Sequence, residues 1–177
     1  MLVALLVLLA QLVPSHAREA PSSGAGLAWE VPKAWEAAAV PSPMRLATYR
    51  LPAALGDPER PELGVFYFGA GQGGSVEANV ARWLSQFEAE KGKKSEPPAK
   101  LTVHGIPVTV VLAEGTYASG MPGGPTTPHG GWALLGAIAE GPEGAVFFKL
   151  TGPKKSVEKA RSGFDALVAS LRKASKL

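Results

Sequence analysis

The strongest constraint on the fold is the spacing of helical patterns along the chain. Apolar residues recur with a helical period in two segments, which predict helices over residues 75–91 and 155–173. Between them, residues 101–113, 132–140 and 145–150 are predicted strands, and no helical pattern separates them. A doubly wound sheet would alternate strand and helix. The sequence therefore predicts an α+β domain with a mostly antiparallel sheet covered by helices.

A glycine-rich segment precedes the first of these helices. Residues 69–74, GAGQGG, match the G-x-G-x-x-G pattern of dinucleotide-binding loops. Such a loop requires a parallel strand after the helix, with an acidic residue roughly 20 positions on. That position falls in the polar segment 91–98 instead. We predict no nucleotide cofactor and a turn with positive φ angles, with anion binding by backbone N–H groups as a second interpretation.

The N-terminal segment has the layout of a secretory signal peptide. Residues 2–13 are apolar apart from Gln11, and this run is shorter than the roughly 20 residues that span a bilayer. Pro14 ends the run, and small residues then place a cleavage site after Ala17. We predict a signal peptide at 1–17 and export to a periplasm or the extracellular space. Because no Lys or Arg precedes the run, the true start could lie further upstream; a buried N-terminal helix is the alternative.

The rest of the chain is predicted to form one domain. Residues 18–26 are small and polar and predict a disordered leader, and residues 27–177 have the length of a single α+β domain. No second apolar run is long enough to span a membrane. The chain has no cysteine, so its core alone must stabilise it. The net charge of +3 is too small to indicate a nucleic-acid partner.

The residue types needed for catalysis or metal binding do not occur in recognisable patterns. His104 and His129 are the histidines that follow the predicted cleavage site, and their spacing does not indicate zinc. The nucleophile motif G-x-S-x-G is missing from the sequence. Ser156 and Lys159 match S-x-x-K, but the S-D-N and K-T-G partners of such enzymes are missing. We therefore predict no catalytic site, no cofactor and no metal.

One long loop, residues 115–131, is the best candidate for a contact surface, because long loops are often functional. Tyr117, Met121, His129 and Trp132 are the predicted binding residues, since Tyr and Trp favour interfaces. The first hypothesis is a non-catalytic protein that binds an envelope protein through this loop. A small-ligand carrier is the second, if the sheet and the first helix enclose an apolar cavity. The third is a hydrolase with an unrecognised site near His129 and Tyr117.

Four segments carry a resemblance to a known superfamily. They are residues 64–87, 105–117, 131–140 and 146–171, the last of which begins VFFKLTGP and ends in ASL. This order of elements resembles the PsbP-like (Mog-type) superfamily, whose fold is an α/β/α sandwich. The resemblance implies an exported bacterial member of unknown function. Members include a photosystem subunit, a small-GTPase binder and many envelope proteins of unknown role, and most are not enzymes.

Overall fold

The computed structural model describes residues 22–40, 42–88, 96–118 and 127–174. Eleven strands and two helices lie in these ranges. In chain order they are β1 (Ser23–Gly24), β2 (Leu27–Ala28), β3 (Glu36–Ala37), β4 (Arg45–Arg50), β5 (Glu62–Tyr67), α1 (Val76–Leu84), β6 (Phe87–Glu88), β7 (Ala99–Val103), β8 (Ile106–Tyr117), β9 (His129–Gly141), β10 (Gly144–Pro153), α2 (Lys154–Ala169) and β11 (Arg172–Lys173).

An eight-stranded sheet forms the centre of the molecule. Its order is β3-β4-β5-β10-β9-β8-β6, and β7 pairs with the first half of β8. The described pairings are antiparallel, including those of the small sheet β1-β2-β11. Pro142 and Glu143 turn β9 into β10, and Gly141 pairs with Gly144. The predicted α+β class with a mostly antiparallel sheet and two helices is confirmed.

Each helix packs on a different face of this sheet, and alternate strand residues supply the two cores. Val157, Phe164 and Leu167 of α2 belong to the larger buried cluster, which we call the α2 face. Val80 and Trp83 of α1 belong to the smaller cluster, the α1 face. The sheet is therefore buried on both sides, as expected for strands that alternate between two apolar layers.

Both helices end earlier than the sequence predicts. The predicted helix 75–91 stops at Leu84, and the chain then enters β6, which pairs with β8. The predicted helix 155–173 stops at Ala169, and β11 then pairs with β2. In both cases the apolar period continues past the helix end, but pairing with a strand satisfies the backbone groups instead.

Two sequence predictions, one for a loop and one for a strand segment, can be compared with the structure in detail. Residues 22–26, the described end of the predicted disordered leader, contain β1 and a turn that pairs it with β2, so the prediction of disorder is wrong for this part. The predicted strand segment 101–113 is divided between two strands, β7 and β8. His104 and Gly105 join them in a two-residue turn with φ angles of +47° and +78°, which suits a tight hairpin.

The glycine-rich segment 69–74 forms the turn in which the chain changes direction between β5 and α1. Gly69, Gly71, Gly73 and Gly74 have φ angles between +68° and +105°, a region that side chains rarely adopt. After α1 the chain enters an antiparallel strand pair, not the parallel strand of a dinucleotide fold. In the described ranges of the chain, no helix is long and apolar enough to cross a membrane.

Candidate functional site

The short helix α1 covers only part of its face of the sheet. Ser75 begins the helix, and its hydroxyl accepts a hydrogen bond from the backbone N–H of Ala78 at 3.1 Å. Trp83 then lies directly over Gly136 of β9, where a Cβ atom would collide with the indole ring. The helix ends one residue later, at Leu84. Beyond Trp83 the sheet is therefore open to a groove.

This groove, which we call the lysine groove, has a volume of about 490 Å³ and lies between β5, β10 and the end of α1. Its apolar part is aromatic. The rings of Phe66 and Phe68 stack with centroids 6.4 Å apart, and Phe68 meets Phe147 edge to face at 5.3 Å. Trp83 closes one side and the half-exposed Met44 stands at the rim. Volumes of roughly 300–1,000 Å³ with such linings are typical of small-molecule sites.

A lysine stands among these rings because of the alternation along β10. Phe148 and Leu150 point to the α2 face, so Phe147 and Lys149 point to α1. The Lys149 ammonium group donates hydrogen bonds to Gln86 Oε1 at 2.6 Å and to the Tyr117 hydroxyl at 3.2 Å. Both of these partners are uncharged.

The electrostatic surroundings oppose the charge on this lysine. Burial, followed by the positive charges of Arg82 and Arg45, lowers the pKa of Lys149 to about 8. Arg45 forms an ion pair with Glu62 at 2.7 Å and lies 4.8 Å from the centroid of the Phe66 ring. Arg82 donates to the neutral Asn79 Oδ1 at 2.5 Å. The groove therefore has an excess of positive charge.

Three of the four predicted binding residues meet in an aromatic row beside this lysine. Tyr117 stacks on Trp132 with centroids 5.5 Å apart, and Trp132 contacts His129 at 4.4 Å. Phe87 of β6 extends the row on the other side of Tyr117. These residues lie in β8 and β9 or pair with them, so the borders of the predicted loop 115–131 are strand. The fourth residue, Met121, lies outside the described residues.

The other candidate catalytic residues from the sequence do not lie together in one site. His129 Nδ1 lies 3.8 Å from Glu59 Oε1, beyond hydrogen-bond distance, and both side chains are partly exposed. Ser156 is fully buried and donates to Asp57 Oδ2, while its hydroxyl accepts from the backbone N–H of Ala54. His104 Nδ1 lies 2.8 Å from the Leu171 carbonyl oxygen. Within the described ranges, no group of three or more His, Asp or Glu side chains could hold a metal ion.

Sequence reasoning missed the residues that define the groove, Lys149, Gln86 and Arg82. A signal for Lys149 was present, because it alternates with Phe147 in a strand predicted at 145–150. In a sheet covered on both faces, such a lysine must point into one of the two cores. Gln86 gave no such signal, since its position depends on where α1 ends.

Comparisons with known proteins bear on the fold. A scan against protein-family models gives no match, and a search of curated proteins gives none either. The chain is similar to the solution structure of cyanobacterial PsbP (CyanoP) from Synechocystis, with a TM-score of 0.51 and 13% identity. That alignment covers 85% of this chain and 88% of the other.

Two further solved structures are similar at lower scores. A Pseudomonas aeruginosa protein of unknown function, described as a putative regulator, gives a TM-score of 0.47 and 15% identity over 73% of this chain and 83% of that one. A Bacteroides thetaiotaomicron protein gives 0.48 and 10% identity over 88% of this chain and 48% of that one, so the match spans about half of its length.

An antiparallel sheet between two helices, with a groove beside the shorter helix, defines an α+β protein of the layered type. Its particular fold is PsbP-like, as the similarity to cyanobacterial PsbP shows.

Proposed function

We propose that this chain is a non-catalytic exported protein that binds a small, partly apolar molecule in the lysine groove. The observation that supports it is the groove itself: about 490 Å³ between sheet and helix, with aromatic walls and a polar end. A carrier of small ligands requires a concave, mostly apolar surface with a few polar groups that orient the ligand. The export part of the proposal rests on the signal-peptide layout of residues 1–17.

The proposal includes membership of the PsbP-like superfamily, as an exported bacterial member. The PsbP-like fold and the resemblance of residues 64–87 and 146–171 support it. Binding to an envelope protein through the loop 115–131 stays a prediction, because residues 119–126 lie outside the described part of the chain. The hydrolase hypothesis also stays a prediction; the separation of His129 from Glu59 offers it no support.

Binding of the neutral dye N-phenylnaphthylamine tests the proposal, because its fluorescence rises in apolar sites. We expect saturable binding to the wild-type protein. Met44 stands at the rim of the groove and is 51% exposed, so Met44→Trp should fill the groove without disturbing the core. This variant should lose most of the dye binding.

Leu55→Trp is the matched control, because Leu55 is fully exposed in a loop that does not line the groove. It should bind the dye as the wild type does. Absence of saturable binding, or equal binding by the Met44→Trp protein, would show that the groove is not a ligand site.

A further inference from the structure

The charges around the lysine groove do not balance. Two of its lining residues, Lys149 and Arg82, are cationic, and none of its lining residues in the described ranges is acidic. Arg45 nearby is already neutralised by Glu62 at 2.7 Å. The hydrogen-bond partners of Lys149 and Arg82 in the described structure, Gln86 and Tyr117 for the first and Asn79 for the second, carry no charge.

We propose that the groove binds an organic anion, whose carboxylate contacts Lys149 and Arg82 and whose apolar body lies against Phe66, Phe68 and Phe147. This inference rests on the proposed function and specifies its ligand class. The lysine supplies a point charge and the arginine a planar pair of donors, and a carboxylate has two oxygens to accept from them.

The energetic reason is the cost of a cation in an apolar groove. A half-buried ammonium group without a carboxylate partner loses hydration that two neutral hydrogen bonds only partly replace. A bound carboxylate compensates for the lost hydration, whereas a cationic ligand would add a third positive charge to those of Lys149 and Arg82. The aromatic rings add burial area for an apolar body, which an inorganic anion does not use.

Three probes that share one apolar body test the charge requirement: phenylbutyrate, the neutral phenylbutanol and the cationic phenylbutylamine, each measured by displacement of N-phenylnaphthylamine. We expect phenylbutyrate to bind at least tenfold more tightly than phenylbutanol, a difference typical of charge-assisted hydrogen bonds. Phenylbutylamine should bind most weakly. Phenyl phosphate is a fourth probe, which tests a phosphate group in place of the carboxylate. It should bind more weakly than phenylbutyrate because its apolar part is smaller.

Two substitutions separate charge from shape. Lys149→Met keeps an unbranched apolar side chain and should weaken phenylbutyrate roughly tenfold, with phenylbutanol unchanged within about twofold. Lys155→Met removes an exposed lysine from α2 on the opposite side of the sheet and should change neither affinity. If Lys149→Met weakens both probes equally, the lysine shapes the groove rather than binding an anion, and the inference is wrong.

Affinity as a function of pH gives a readout that a structural role would not change. The groups that face Lys149 are Arg82 on α1, Arg45 on β4, Gln86 after α1 and Tyr117 on β8. Because the pKa of Lys149 is about 8, phenylbutyrate affinity should be constant from pH 6 to 7.5 and then fall by about tenfold in all as the lysine loses its charge, the same loss that Lys149→Met should cause. Lys149→Arg should stay charged and keep a flat profile.

The outcomes distinguish the two proposals. If no probe displaces the dye, or the dye itself does not bind, the proposed function fails. If phenylbutanol binds as tightly as phenylbutyrate, or the affinity for phenylbutyrate stays flat to pH 10, the groove remains a ligand site and the anion inference is overturned. Tighter binding of phenyl phosphate than of phenylbutyrate also overturns it, in favour of a phosphate head.

Discussion

The two faces of the sheet differ in how completely a helix covers them. The α2 helix has 16 residues and α1 has nine. On the α2 face the start of the helix has a charged partner in the protein: Ser156 N donates to Asp57 Oδ2 at 3.0 Å. This carboxylate accepts from the helix N-terminus, where an anion is stabilising. The α1 face instead leaves Lys149 with uncharged partners beside an open groove.

This difference suggests that the α2 face contributes mainly to stability and the α1 face mainly to ligand binding. Where the longer helix buries the apolar side chains of its face, those side chains contribute mainly to stability. A face with a short helix retains unfilled apolar surface and a cation that no acidic residue of the described ranges neutralises. Substitutions on the α2 face should therefore change the free energy of unfolding, and those on the α1 face should mainly change binding.

The largest expected effect comes from the α2 face. Phe164 of α2 is completely buried against the sheet, so Phe164→Ala should lower the free energy of unfolding by about 3–5 kcal/mol through lost burial and a cavity. Phe68→Ala, on the partly exposed wall of the lysine groove, is the matched substitution and should cost about 1–2 kcal/mol. Urea unfolding measures both values. Equal losses would mean that the two faces contribute alike to stability.

A smaller effect should follow from Gly136→Ala, which acts on the packing of α1. The added methyl group would collide with the Trp83 ring, so the ring and the end of α1 must shift. We expect a loss of about 1–3 kcal/mol in the free energy of unfolding, together with weaker dye binding in the groove.

Gly130→Ala in the same strand is the control, because no atom lies within 4 Å of its added Cβ. Its stability should stay within about 0.5 kcal/mol of the wild type. An unchanged Gly136→Ala protein would show that Trp83 does not fix the position of α1.

The sequence was sufficient for the parts of the fold that depend on local periodicity. Strands without intervening helices predicted the antiparallel sheet, and the stripe that contains Val80 and Trp83 predicted α1. Its end could not be predicted, because Phe87 continues the apolar stripe and yet lies in a strand that pairs with β8. The choice between helix and strand there depends on a distant partner, because Phe87 pairs with Tyr117 and Glu88 with Thr116.

The candidate site was predicted only in part, for a similar reason. The residue types of Tyr117 and Trp132 predict contact residues, and the pairing of β8 with β9 brings the two rings together. The groove depends on the length of α1 and on the register that places Lys149 beside Gly136 under Trp83. The end of α1 at Leu84 has no signature in the local sequence, because the apolar stripe continues to Phe87.

The smallest effect concerns the cost of the Lys149 charge to the α1 face. The pKa of Lys149, about 8, lies below its ordinary value of 10.5. Below pH 8 the lysine is therefore protonated in both the folded and the unfolded chain, and the free-energy cost of burying its charge is fully present. Between pH 8 and 10.5 the unfolded chain binds more protons, and stability should rise with pH. We expect the wild type to gain about 1–2 kcal/mol relative to Lys149→Met over this range.

Urea unfolding of both proteins at pH 7, 8.5 and 10 measures this difference. Burial raises the pKa of Tyr49, which lowers stability at high pH, but this contribution is common to both proteins and cancels. Arg45, Arg82 and Tyr117 face position 149 in both proteins as well. If the difference between wild type and Lys149→Met is independent of pH, the lysine is hydrated in the free protein. An anionic ligand would then have no unfavourable charge to neutralise, and the contrast between the two faces would not extend to Lys149.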